Sequence, residues 1–435
     1  MHRRAFLRNA GTGLGAVLAG CRAPSAVIQP TAVPFAPVSP GFLFATGIEN
    51  SYPRLPDGSR HDQLERGDHY VRWREDFELA RSLGVGALRY GPAWYRTNPG
   101  PGVFDWSGVD DQMAWLRQSG LAVIADLCHF GVPDWIAGFR DPALRVHLAA
   151  YACEFAKRYP WVRHYTPINE VFVATKFSSM LGWWNECATG IESFVCAIGN
   201  ASLAHELAVD AILAEQPRAV IVQTESFERF TPADVSLGAM VQARFWNEAR
   251  FAALDLTLGR MPAPAIRDLL VAGGMTTADF AFLREPRARG RRWIGVDYYV
   301  TSEQAVDGDG RKRTASTRAG LASVAREYYD RYRLPLMISE TSRVTSRAVG
   351  WLNEQWDDTM RLAAEGVAVE GFTWFPLGDV LDWRHALREK RGDVDPIGLY
   401  SVARRPHPVA GAYGDLIASA RGNVASSGAT RVSGW

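Results

Sequence analysis

A closed (β/α)8 barrel in a single domain is the α/β fold that this sequence predicts, on three observations. Eight short apolar or β-branched runs alternate with segments whose apolar residues recur at helical spacing, the pattern of parallel βαβ units. No interior stretch rich in Pro, Gly and Ser divides residues 41–420. No glycine-rich phosphate loop follows the first run, which disfavours a doubly wound open sheet.

The first run is Phe42–Ile48, and a helical pattern over Tyr70–Ser82 follows it. Ala87–Tyr90 precedes a helix over Val109–Ser119, and Leu121–Leu127 precedes one over Leu144–Arg158. His164–Ile168 leads through a Trp-rich loop to a long helix ending near Glu215. Ala219–Gln223 is the fifth strand, and Trp293–Tyr299, Leu336–Ser339 and Val369–Trp374 complete eight, with a last helix over Val409–Ala420. Eight such units close a barrel whose C-terminal strand ends form the functional face.

The ends read differently. His2 to Arg8 is a twin-arginine pattern, followed by an apolar run from Ala10 to Leu18 that is too short to span a bilayer. Leu18-Ala19-Gly20-Cys21 resembles a bacterial lipobox, so residues 1–20 are expected to be an export signal and Cys21 the lipidated first residue, placing the protein at the cell envelope, on the periplasmic side. An ordinary cleaved signal with an incidental Cys is the alternative. Prolines at 24, 30, 34, 37 and 40 make residues 21–40 an extended tether. The Gly/Ser/Ala-rich stretch 421–435 is expected to be a loose tail.

Residues 1–20 hold Arg3, Arg4 and Arg8 and no acid, so the remainder carries 45 basic and 47 acidic residues. That balance offers no field for a polyanion and argues against nucleic acid; the basic run Arg287–Arg292 reads as a solvated loop. Cys128, Cys153, Cys187 and Cys196 lack metal-ligand spacing, and the sequence leaves a disulfide undecided. No metal or cofactor is called for. The oligomeric state is not legible.

Two runs stop at or next to a glutamate: HYTPINE ends at Glu170, and LPLMISET contains Glu340. Strand-end side chains of a barrel project into its mouth. Two carboxylates delivered there are the working parts of a glycosidase, one donating a proton to the leaving oxygen and the other attacking the sugar carbon. A structural strand-end acid is the plainer reading of either one alone. Glu225, at the end of the fifth strand, is not placed in the site.

From Phe42 to Leu416 these motifs resemble glycoside hydrolase family 1, the β-glucosidase type. FLFATGIENSY is similar to that family's opening strand. LRYGPAWYR resembles its second-strand motif, which makes Arg89 the support of the nucleophile. LCHFGVPDW resembles the third, which makes His129 a contact to sugar hydroxyls. TPINE resembles the Asn-Glu signature, implying that Asn169 meets the sugar 2-hydroxyl and that Glu170 is the acid/base. GVDYYVT implies that Tyr299 contacts the nucleophile, and MISET that Glu340 is that nucleophile. GFTWFPLGDVLDW implies Trp374 under the sugar, with Asp382 and Trp383 near its far hydroxyls.

The departures fall on the positions that read the sugar. Glu49 (or Asn50) stands where the family has Gln, Asp297 where it has Asn, and Asp382 where it has Glu, in a loop one residue longer. Val171 replaces a Pro. A different or narrower substrate than glucose follows, because an unpaired buried polar group is costly. The resemblance implies double displacement with retention on a β-glycoside or short oligosaccharide, the carboxyls standing about 5–5.5 Å apart. Trp183 and Trp184 are candidates for sugar platforms or for packing. The competing hypothesis is a catalytically inactive glycan-binding envelope lipoprotein on the same barrel. An aldolase or metal hydrolase is disfavoured by the lack of a strand-end Lys and of a carboxylate/His cluster.

Overall fold

The computed structural model describes residues 41–285 and 291–429, with side chains to residue 422. The expected export signal, Cys21 and the tether lie outside the described residues, as do residues 430–435 and part of the basic run.

Eight parallel strands close into a barrel: β1 (Leu43–Gly47), β2 (Ala87–Tyr90), β3 (Ala122–Asp126), β4 (His164–Thr166), β5 (Val220–Ser226), β6 (Arg291–Asp297), β7 (Leu336–Glu340) and β8 (Val369–Trp374). Each strand pairs with its neighbours in chain order, and β8 closes on β1 through Leu43↔Gly371 to Thr46↔Trp374. The fold expected from the sequence is thus the fold found.

Pleating sorts each strand into two faces. The inward residues of the lower barrel are apolar: Ala45, Ala87, Ile124, Val220, Val222 and Met337 pack together, with Trp293 against them. The outward residues, among them Leu88, Val123, Ile221, Val296, Ile338 and Phe372, join the larger core beneath the helices. Each large apolar side chain buried there contributes about 1.5–3 kcal/mol. Continuing the inward series to the strand ends gives Arg89, Asp126, Thr224, Asp297 and Ser339. The alternation that fills the barrel with hydrocarbon therefore also delivers its polar upper layer.

Helices Ala143–Arg158 and Ile191–Glu215 pack closely against each other. The second is long and apolar enough to cross a membrane, but most of it is buried inside the protein. β5 extends to Ser226, beyond the expected Gln223, because its ladder to β6 continues to Ser226↔Asp297. The last helix runs from Pro408 to Ala429, past the expected Ala420, so the stretch expected to be a loose tail is helical as far as Ala429. All four cysteines from Cys128 to Cys196 are free thiols.

Two small sheets were not foreseen. One joins Arg229–Pro232, Glu303–Val306 and Lys312–Thr314, and the other joins Val380–Leu381 to Val394–Asp395. Strands of two to four residues carry no readable period. They follow β5, β6 and β8 and so build the rim of the barrel's C-terminal face.

Candidate active site

Arg89 is the hub. It projects inward from β2, almost wholly buried, and its Nη1 donates to Oε1 of Glu340. Its Nη2 donates to Asn169 Oδ1 at 2.5 Å and lies 2.8 Å from Asp126 Oδ2. Burial opposes the guanidinium charge, but Asp126, Glu340 and Asp297 outweigh it and hold Arg89 protonated. Breaking such a buried cluster at one member strands the others, at about 3–5 kcal/mol.

Glu340 ends β7, where the ladder to β6 is irregular between Ile338 and Glu340. Strict alternation would send Glu340 outward behind Ser339. The irregularity turns it into the mouth instead, where Tyr299 Oη donates to Oε2 at 2.7 Å. Both carboxylate oxygens are thereby held.

Glu170 follows β4 and opens the helix Val171–Thr175, with φ 41° and ψ 64°. That left-handed conformation is uncommon for a residue with a Cβ and is typical of over-determined functional positions. Burial raises the Glu170 carboxyl well above its ordinary value, and the charges of Asp297, Glu340, Glu225 and Glu228 push the same way. Glu340 is thus clamped by a cation and a hydroxyl, whereas Glu170 is biased to its acid form.

Asn169 accepts from Arg89 and from Thr224 Oγ1 (2.7 Å), so its amide nitrogen is the donor facing His129 Nε2 at 3.2 Å. His129 Nδ1 lies 2.8 Å from Asp126 Oδ2. Burial opposes a charged ring, but Asp126 and then Glu49 outweigh it and raise the His129 value. When the ring is charged, its Nε2–H faces Glu49 Oε1 at 3.6 Å.

Glu49, not Asn50, is the first-strand residue at the mouth; Asn50 turns to Gly91 O at 3.4 Å. Burial raises the Glu49 carboxyl against the Ser51 hydrogen bonds. Asp297 projects inward from β6 and is fully buried. Ser339 Oγ donates to its Oδ1 at 2.6 Å, and its Oδ2 has no partner.

Two expectations are corrected, and the choice left open for Trp184 falls to packing. Trp374 is not under the sugar. It lies on the outward face with Phe372, fully buried, and its indole donates to Ile397 O at 3.1 Å. The next residue, Phe375, turns inward across the end of β1, where a Cβ on Gly47 would come within 2.5 Å of its ring. The Phe375 ring faces Arg89 at 5.3 Å and stacks beside His129 at 6.0 Å. Counted from Phe375, the extra loop residue disappears.

Asp382 is not open to a sugar. It is fully buried, with Oδ2 within 2.8 Å of Arg66 Nη2, 3.3 Å of His61 Nε2 and 3.1 Å of Gly392 N, and Oδ1 within 2.8 Å of Asp393 N. Three donors converge on Oδ2 and one reaches Oδ1, so the carboxylate is tied into the protein through both oxygens. Trp184 packs, fully buried, against Phe130 and Phe177, and its N–H donates to Ala386 O. Trp183 and Trp383 stay half-buried at the rim: Trp183 lies under Arg388, and Trp383 lies against Phe130 and Trp184 with its N–H unpartnered.

Asp126 and Phe375 were missed in the sequence, although continuing the inward alternation from Ile124 and Thr373 points to both. Glu225 lies beside the site: it accepts from Phe172 N–H, and burial pushes it up to about 8.

Comparison with known proteins agrees with the fold. A solved family 1 b-glucosidase from Thermotoga maritima superposes with a TM-score of 0.76 at 17% identity, covering 89% of this chain and 99% of that one. The beta-glucosidase of Agrobacterium sp. is 23% identical over 380 residues, covering 77% of this chain and 81% of its own. A rice protein described as a probable inactive beta-glucosidase 14 is 26% identical over 281 residues, 57% of this chain, and the match spans about half (52%) of the rice protein. The family model for glycosyl hydrolase family 1 matches residues 54–368, and by that match the chain belongs to glycosyl hydrolase family 1.

Proposed function

We propose that this protein is a retaining β-glycosidase acting on a β-glycoside or short oligosaccharide. Glu340 attacks the anomeric carbon and forms a glycosyl ester. Glu170 gives its proton to the departing oxygen, then takes one from the water that cleaves the ester. The observation that carries this reading is the asymmetry between the two carboxyls. Arg89 and Tyr299 hold both oxygens of Glu340, while burial and four acidic neighbours keep a proton on Glu170. A decayed site would be expected to have lost one of these partners, and each is present.

Substrate recognition departs from the family's pattern. With Asp382 engaged by His61, Arg66 and the 392–393 backbone, the polar groups left to read the sugar are Glu49, His129, Asn169 and the Trp383 N–H. The test is a panel of aryl β- and α-glycosides offered to the Cys21→Ser chain, with Glu340→Ala as the blank. Cleavage of a β-glycoside by the active chain alone, with the β-sugar released first, supports the reading. Release of the α-sugar first would overturn retention.

Residues 1–40 support a second part of the proposal, export by the twin-arginine route and anchoring through a lipid on Cys21. Cell fractionation is expected to move Cys21→Ala from the membrane to the soluble envelope fraction. Unchanged membrane association would rule out the anchor.

A further inference from the structure

Glu170 sits where the barrel gives it little backbone support. β4 pairs with β5 only through His164↔Val220 and Tyr165↔Ile221, so that ladder ends well before Glu170. Glu170 also has a left-handed backbone, φ 41° and ψ 64°, at the point where it opens the helix Val171–Thr175. A residue in that place ordinarily turns its own side-chain oxygen back onto an N–H of the first turn. Glu170 makes no such bond. Its carboxyl is thereby released toward the mouth, and the first turn needs another acceptor, because a buried N–H left unpaired is costly.

That acceptor comes from β5. Alternation turns Val220, Val222 and Thr224 inward and sends Glu225 outward with Ile221 and Gln223, behind the barrel wall. Glu225 is 1% exposed, and its Oε1 and Oε2 each lie 3.3 Å from the backbone nitrogen of Phe172. Phe172 is the second residue of the helix, and its N–H is one that a capping side chain usually takes. The neighbouring ammonium of Lys176 is taken by Glu228, which leaves Glu225 to the helix. Thr224 holds the same segment from the other side, its Oγ1 donating to Asn169 Oδ1 at 2.7 Å. Two adjacent residues at the end of β5 thus grip the chain on either side of Glu170, one inside the barrel and one outside.

We propose that Glu225 is a positioning residue for the acid/base: it takes over the capping role that Glu170 gives up, and so fixes the Glu170 backbone with its carboxyl directed at the departing oxygen. This rests on the glycosidase reading above. The role requires an acceptor oxygen at that point and not a charge.

The experiment compares kcat/KM of the full chain with that of Glu225→Met and Glu225→Gln on β-glycosides graded by leaving group. With these substrates kcat/KM reports formation of the glycosyl ester, the step in which Glu170 acts as an acid. Met fills the volume with only a weak acceptor, whereas Gln keeps a carbonyl oxygen. Glu225→Met is expected to slow alkyl glycosides by about 10- to 100-fold and activated aryl glycosides only a few-fold. Glu225→Gln is expected to recover most of that loss. Glu225→Leu serves in the same direction if the Met variant does not fold. A Met or Leu variant that matches wild type on alkyl glycosides, or that loses equally on every leaving group, would overturn the proposal. A Gln variant as slow as the Met variant would overturn it too, by making charge the property that matters. A wild type inactive on every leaving group would instead overturn the glycosidase reading.

Discussion

Replacing Glu340 with alanine is expected to abolish turnover, with a fall in kcat of at least about 10⁴-fold, or roughly 5 kcal/mol of barrel-mouth catalysis. Both of its oxygens are oriented by fixed donors, Arg89 and Tyr299, at the mouth. Removing it leaves an Arg89 cation facing the space vacated by the carboxylate. A small anion such as azide fits that charge and can reach the anomeric carbon from the same face. The expected rescue product is an α-glycosyl azide, formed by one displacement in place of two. Rescue giving the β-azide, or residual wild-type-like turnover, would show that Glu340 is not the nucleophile.

Replacing Glu170 with alanine should produce a loss that depends on the leaving group. Alkyl glycosides, whose departing oxygen must be protonated, are expected to slow by about 10²–10⁴-fold. Activated aryl glycosides should keep a rapid first step and accumulate glycosyl-enzyme, because the base for the second step is gone. The pH profile supplies the sign. Glu170 is active as an acid and its value is raised, so wild-type rate is present below that value and falls as pH rises through it. In the alanine variant that alkaline limb should vanish on activated substrates. Equal losses on all leaving groups, with the limb retained, would assign the acid/base elsewhere.

Much of this architecture was legible in the chain because it rests on local rules. Strand and helix periods gave the barrel, and strand-end position marked Glu170 and Glu340. What was misplaced depended on a single step of pleating or on distant chain. Trp374 and Phe375 are adjacent, and a strand exposes only one of them to the mouth, so a shift of one residue exchanged platform for packing. The occupation of Asp382 needs Arg66 and the amides of Gly392 and Asp393, which no period brings together. Trp184 was sealed by Phe130 and Phe177, a matter of loop packing. Asp126 lies two residues beyond inward-facing Ile124, at the end of the same strand.

The buried, protein-bound carboxylate of Asp382 has a further consequence. A recognition group discriminates by what it loses when the wrong partner arrives, and Asp382, buried and already held by four donors, exchanges none of them with a ligand. His61, Arg66 and the 392–393 backbone are tied to it before any ligand enters, so that wall of the pocket is set when the chain folds and stays indifferent to the orientation of a hydroxyl beside it. Selectivity among epimers on that side of the ring then rests on shape and on the nearby indole, a coarser filter, while the stringent reading of the sugar is confined to the side held by Glu49, His129 and Asn169.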